Sequence, residues 1–412
     1  MFLLDGMIVT SASDLTEASK CEFAFLRTLD VKLGRLEKTD EVLDPMYVRS
    51  ARLGDEHEHH ILERYREEFG DRVAEIERPD HLDAQTLAAA VDQTTAAFAS
   101  GAQVVFQATF FDGSFLGFAD FIVRLPDGRY RVQDSKLARS ARVTALLQLA
   151  AYAEQLERMG VPTDDTVELL LGDGSVSTHR VSDIEPVYRK RRARLLAIID
   201  DHVADSGVVA WGDPRFTVCG RCDTCDAEIQ AARDVLLVAG MRVTQRERLL
   251  QAAVSTIDAL AASRGPVDGI AEGTLEALRE QAALQVQARP DAPPPVRVFN
   301  APVLAVLPHP DEGDIFFDFE GDPLYTEGAG ERWGIDYLFG LVDQDAVFTA
   351  FWAHDFAAER LALEAFLAFV RERRSAHPQM HIYHYAAYEQ THLLALAARH
   401  GVGEEEVDGL LR

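Results

Sequence analysis

VVFQATFFDGSFLGFADFIVRLPDGRYRVQDSK, residues 104–136, is the stretch whose reading decides the fold. It holds three apolar runs, Val104 to Phe111, Phe115 to Arg124 and Arg129 to Asp134, separated by Asp112-Gly113 and Asp127-Gly128. Asp-Gly between strand-like runs favours a tight hairpin, because glycine accepts positive φ without a Cβ clash. The spacing therefore predicts a three-stranded meander. Upstream, Ser13 can cap a helix that carries Cys21, and helical patterns run from about Asp44 to Phe69 and Ala84 to Ala99. Downstream come a helix from about Val143 to Met159, a strand near Val167 to Leu171 and a basic helix near Val187 to Val203. Helix, meander, helix and strand predict an α/β core.

The 412 residues predict two or three domains, each with its own core. No apolar run approaches membrane-spanning length, and Met-Phe-Leu-Leu-Asp lacks the basic start of a signal peptide. The expected location is the cytoplasm, with no membrane partner. A net charge of −27 works against a uniformly nucleic-acid-binding surface, since phosphate contact needs positive potential. Local exceptions exist: Arg124 to Arg142 holds six basic residues against Asp127 and Asp134. A second run, Arg189 to Arg194, reads as a solvated helix face.

The chemistry starts on the last strand of the meander. Period-two alternation puts Asp134 and Lys136 of Asp134-Ser135-Lys136 on one face, with the Ser135 carbonyl beside them. Asp120 lies on the preceding strand. Two carboxylates close enough to repel invite a hard divalent cation, Mg²⁺ or Mn²⁺, which acidifies bound water and offsets charge on phosphate. Lys136 is a point cation beside that water. Gln148 and Tyr152, four apart, share a face of the following helix. Gly54-Asp-Glu-His57-Glu-His59-His60 offers an imidazole as a further ligand. His57, His59 and His60 are all candidates, and the position after Gly54 favours His57.

Four cysteines, Cys21 and the trio Cys219, Cys222 and Cys225, have metal-ligand spacing. If Cys21 supplies the fourth thiolate, the centre clasps two segments about 200 residues apart, closing a long loop. The plainer alternatives are two disulfides or inert buried thiols.

After Cys225 the pattern is wholly helical. The placement of Gly240 and Ile257-x-x-Leu260-Ala261 resembles a helix-hairpin-helix unit, with a plain helical linker as the alternative. Seven prolines between Pro290 and Pro310 mark an extended connector. Beyond it, strands are expected over Asp314 to Glu320, Tyr337 to Val342, Val347 to Trp352 and His381 to His384. Helices are expected over Ala357 to Arg373 and Glu389 to His400. Asp318 and Glu320 face together out of an apolar strand, costly unless a cation compensates them.

The ordered set His57, Asp120, Asp134-x-Lys136 and Gln148-x-x-x-Tyr152 resembles the RecB-like branch of the PD-(D/E)xK nuclease superfamily. With the four cysteines it is similar to the iron–sulfur version found in AddB nucleases and CRISPR-adaptation exonucleases. The resemblance covers residues 1–228. It implies a [4Fe–4S] cluster on Cys21, Cys219, Cys222 and Cys225, and metal held by His57, Asp120, Asp134 and the Ser135 carbonyl. It also implies Lys136 as catalytic lysine and Gln148 and Tyr152 near the DNA backbone. The gap between Cys222 and Cys225 is shorter than those families usually have, which keeps zinc as an alternative. Asp318-x-Glu320, with Glu389 in Tyr383-His384-Tyr-Ala-Ala-Tyr388-Glu389, resembles the DnaQ-like exonucleases of the RNase H fold, where an Asp is more common at the last position.

The expected order is therefore a PD-(D/E)xK restriction-endonuclease-like core (1–228), a helical linker (229–289), a Pro-rich connector (290–310) and a partial RNase H-like α/β domain (311–412). Such a chain is expected to be the front portion of a longer nuclease–helicase, although no Walker A motif occurs in it. The implied activity is metal-dependent hydrolysis of single-stranded or duplex-end DNA in repair or processing, with a helicase in cis or in trans. The alternative is a non-catalytic DNA-binding module that supports a helicase.

Overall fold

The computed structural model describes residues 1–38, 44–327 and 333–411. It divides into two units, Met1–Val296 and Arg297–Arg412. In the first, β1 (Phe2–Leu4) and β2 (Met7–Ser11) pair as a hairpin. Ser11 caps α1 (Ala12–Lys20), its backbone N–H donating in return to the Asp14 carboxylate at 2.8 Å. The expected cap, Ser13, lies inside the first turn instead, because the reciprocal bonds of a capping box fix the start two residues earlier. Cys21 is not on this helix either. Its extended backbone separates α1 from α2 (Glu22–Lys32).

The helix α3 (Pro45–Phe69) starts with Asp44 as cap and a proline at its first position. After it come β3 (Val73–Glu75), α4 (Ala84–Ser100) and the expected meander of β4 (Val104–Phe111), β5 (Phe115–Arg124) and β6 (Tyr130–Lys136). Its turns carry Gly113 and Gly128 at φ of 87° and 89°. Then α5 (Val143–Arg158) crosses over to β7 (Thr166–Leu171), parallel to β6; β8 (Val176–Arg180) and α6 (Val181–Ala204) follow.

β5 is the hub of the sheet. β4 lines one edge, while β2 and β6 share the other, at Phe115–Leu116 and from Phe121 onward. The alternation of β4 to β7 loads both faces. On one, α1, α5 and α6 bury Leu15, Leu147, Leu149 and Leu195; on the other, α3 buries Ile61 and Leu62 against Val104, Phe121 and Leu170. Each such side chain contributes about 1.5–3 kcal/mol on leaving water. The fold of this unit is the α/β arrangement expected from the sequence.

The helical stretch forms α7 (Asp223–Ala232), α8 (Val243–Gln251), α9 (Ile257–Ala262) and α10 (Glu272–Gln287) around Val235, Leu249, Ile257, Leu260 and Leu275. Trp211 Nε1 donates to Asp234 at 2.9 Å, and Arg246 pairs with the same carboxylate at 2.8 Å while lying 4.7 Å from the indole centroid.

The second unit holds α11 (Ala301–Leu304), β9 (Ile315–Thr326), β10 (Trp333–Asp343), β11 (Phe348–Trp352), α12 (Phe356–Ala376), β12 (Ile382–Tyr383), α13 (Tyr388–His400) and α14 (Glu404–Leu410). The sheet order is β11-β10-β9-β12, with β12 parallel to β9. Ile315, Phe317 and Phe319 pack with Leu363, Phe366 and Leu367 of α12, which leaves Phe316, Asp318 and Glu320 on the exposed face of β9. Fully buried Glu359 accepts from Arg399 at 3.0 Å and from the Asp336 N–H at 2.7 Å, tying α12 to α13 and β10. No helix among the described residues is long and apolar enough to cross a membrane.

Candidate active site and metal centre

The β5–β6 ladder stops at Phe121–Gln133, which puts Asp120 abreast of Asp134. Where backbone pairing ends, the Asp120 carboxylate accepts the Ser135 N–H at 2.9 Å and its hydroxyl at 3.0 Å. Lys136 Nζ lies 2.5 Å from Asp134 Oδ2. Asp120 and Asp134 are both buried. Burial, then the Asp120 charge, push the Asp134 carboxyl up to about 8, against the pull of Lys136. Burial draws the Lys136 ammonium down, but the Asp134 and Asp120 charges outweigh it and hold the lysine above its ordinary value. Tyr152 closes the floor. Burial and then the charges of Asp134 and Asp120 push its hydroxyl up. The ring occupies the space over Gly117, where a Cβ would come within 2.7 Å of Tyr152 Cε1. Gln148, half-buried one turn earlier on α5, lines a cavity with Lys136.

The helix α3 adds a residue that the sequence reading did not name. His57 Nε2 meets the Leu170 carbonyl at 3.2 Å, and His59 and His60 are exposed. Gly54 has open space where a Cβ would stand, so no close approach depends on it. The added residue is Glu58: burial, then the Asp120 charge, push it up to about 7. Gln107, buried opposite, donates to Glu58 and accepts Arg78 Nε at 2.7 Å. Gln107 has φ of 55°, a left-handed conformation that costs a non-glycine residue about 1–2 kcal/mol. Helix phase is the signal that finds Glu58, since it continues the stripe of Leu62, Tyr65 and Phe69 packed on the sheet.

The donors around Asp120 are hard oxygens, which suit Mg²⁺ or Mn²⁺. They are not gathered about one point, however. Among the described residues, the four cysteines form the only set of three or more His, Cys, Asp or Glu whose ligand atoms all lie within 4.8 Å of one another.

That set unites Cys21 with Cys219, Cys222 and Cys225. Cys21 Sγ is 3.5 Å from Cys225 Sγ and accepts the Cys219 N–H at 3.4 Å. All four are free thiols, so the disulfide alternative falls. The bond to Cys225 is the main cause that lowers Cys21 to about 5, whereas burial pushes Cys222 up to about 11. Glu22, next to Cys21, accepts the Thr217 N–H at 2.8 Å and pairs with Arg194 at 2.7 Å, so the two segments are joined by hydrogen bonds as well. A single tetrahedral ion with metal–sulfur bonds of about 2.3 Å places its sulfurs about 3.8 Å apart. Cys21–Cys225 at 3.5 Å and Cys219–Cys225 at 3.9 Å are close to that spacing. A four-iron cube, with each sulfur on a different iron, needs a wider tetrad.

In the second unit Asp318 and Glu320 share the exposed face of β9. Glu389 is buried, with His384 Nδ1 3.1 Å from its carboxylate. Burial and then the charges of Asp336, Glu320, Glu389 and Asp318 raise Tyr388. Asp336 and its partner His392, 2.8 Å apart, were not foreseen. They lie on β10 and α13, and no local motif marks them.

Residues 315–408, which carry Asp318, Glu320 and Glu389, match the RNase_H_2 family of the RNase_H superfamily. Solved structures similar to the chain include a "Putative exonuclease" from Eubacterium rectale. It is 12% identical, covers 57% of this chain and 94% of that one, and has a TM-score of 0.29. No curated protein matches the chain. The second unit thus has an RNase H-like α/β fold, the fold of a nuclease superfamily, over residues 315–408.

Proposed function

We propose that the chain is a metal-dependent nuclease that hydrolyses DNA phosphodiesters at the site of Asp120, Asp134 and Lys136. The observation that carries this reading is the buried carboxylate pair with a lysine 2.5 Å from Asp134, whose carboxyl is pushed up to about 8. Such a pair is costly by itself, and a divalent cation relieves it. Asp120, Asp134 and Glu58 would hold Mg²⁺ or Mn²⁺, which when bound supplies Lewis-acid stabilisation of phosphate and a more acidic water. Lys136 is held by Asp134 on the cavity side, where it offsets developing negative charge. Gln148 orients the strand and Tyr152 fixes the floor. The cysteine centre holds α1 and the 217–225 segment together, as a [4Fe–4S] cluster on the resemblance or as one zinc ion on the sulfur spacing. Asp318, Glu320 and Glu389 form a second acidic site of the same reaction class. DNA repair or processing in the cytoplasm, beside a helicase in cis or in trans, is the setting that the resemblance supports.

A second reading has its own observation, since the acids are not gathered round one point. On it, the chain binds DNA without cutting it and supports a helicase. Purified protein, labelled single-stranded DNA and Mg²⁺ or Mn²⁺ separate the two. Cleavage that disappears in Asp134→Ala, with circular dichroism and cysteine-bound metal unchanged, is the expected result. Binding with no cleavage by the wild type moves the chain to the second reading, and undiminished cleavage by the variant removes this site from the chemistry.

A further inference from the structure

A cavity of about 280 Å³ opens beside Lys136, walled by α1, the start of α5 and the segment between β6 and α5. We propose that it binds a phosphate of the DNA strand adjacent to the one being hydrolysed, with Lys20 and Arg142 as its cationic walls. This deepens the nuclease reading and rests on it.

Three cations, Lys20, Lys136 and Arg142, face the cavity against one acid, Glu17. Lys136 is already offset by buried Asp134, so in a chain of net charge −27 the positive charge that a phosphate requires comes from Lys20 and Arg142. Five other basic residues of the two runs are spent within the protein. Arg129 and Arg131 pair with Asp127, Asp164 and Glu168, while Arg189, Arg192 and Arg194 pair with Glu185, Glu154 and Glu22. Among the described residues Lys20 pairs only with Glu17, and both side chains are 58% exposed, so exchanging that carboxylate for a phosphate costs little. Arg142 precedes the 16-residue α5 as its cap residue and makes no side-chain cap bond. The Ala145 and Leu146 amides donate to the Arg142 carbonyl, so the Val143 and Thr144 amides of the first turn are the ones an anion could meet. Ser140, on the connecting segment, adds a hydroxyl to the wall.

The wall is also held in place. A Cβ on Gly172 would lie 2.2 Å from the Leu137 carbonyl oxygen, so only glycine lets the chain leaving Lys136 run against the end of β7. Thr16 Oγ1 reaches the Thr144 carbonyl at 3.5 Å, fastening α1 to the start of α5.

The test is anisotropy of a labelled 20-nucleotide single strand with the full chain in EDTA, at stepped salt. Lys20→Ala and Arg142→Ala should each weaken binding several-fold and lower the slope of log K against log salt by about 0.7. Lys190→Ala/Arg191→Ala, exposed on α6, serves as the control and should bind as the wild type does. Lys20→Arg should restore binding. If Lys20→Ala fails to fold, Arg142→Ala, on an exposed residue, carries the test. Unchanged affinity and slope in both cavity variants overturn the proposal, as does an equal loss in the control. In those cases metal-dependent cleavage that depends on Asp134 leaves the nuclease reading standing. A wild type that neither binds nor cleaves sinks both.

Discussion

Lys136 Nζ stands 2.5 Å from Asp134 Oδ2, and Asp120 lies abreast of Asp134 on the neighbouring strand. One cation thus serves two buried carboxylates, and the folded chain carries part of their repulsion. Asp134 is raised from an ordinary 3.8 to about 8. A carboxyl raised on folding contributes stability that is fully present below its unfolded value and is lost as pH climbs through the folded one. In EDTA, wild-type Tm should therefore fall between about pH 4 and pH 8 more steeply than that of Asp134→Asn. The variant should melt higher at pH 8, and added Mg²⁺ should raise the wild type more than the variant. Parallel Tm profiles would show that Asp134 stores no such cost.

Glu58 feels the Asp120 charge and accepts from Gln107, whereas His57 Nε2 meets the Leu170 carbonyl. Glu58→Gln should lower cleavage and apparent Mg²⁺ affinity by roughly 10–100-fold. His57→Ala should cost only its bond to the Leu170 carbonyl, about 1 kcal/mol of stability, with kcat near wild type. Titration of activity with Mg²⁺ in both variants makes the comparison. A crippled His57→Ala beside an active Glu58→Gln would restore the histidine to the site.

Cys21 and the distal trio meet without disulfides. Cys21→Ser should release the bound metal and lower thermal stability by several degrees, because the long loop loses its closure. Analysis of anaerobically purified wild type then separates the two centres. Brown protein with matching iron and sulfide means the cluster; colourless protein with one zinc means the single ion. Retention of full metal content in Cys21→Ser removes that residue from the centre.

The parts of the fold that were legible in the sequence are those encoded by local chemistry. Asp112-Gly113 and Asp127-Gly128 set both hairpins, and alternation around Phe317 and Phe319 set β9. What escaped depends on phase or on distance. The strands β1 and β3 are three residues each, too short for alternation to register. The start of α1 turned on Asp14 bonding back to Ser11, which outweighs an equally plausible Ser13. Glu58 against His57 is one step of helix rotation, decided by where Leu62 and Tyr65 land on the sheet. Gln107 gives no signal at all, since its role comes from a backbone at φ 55°. The meeting of Cys21 with the trio was legible by counting, because no other thiol exists in the chain.

The nine residues of α1 run from the Ser11 cap to Cys21, a rod about 13 Å long. Its last turn carries Glu17 and Lys20 into the cavity beside Lys136. Oxidants that attack the sulfurs would therefore shift the Lys20 wall of that cavity through a rigid lever, without touching an acid.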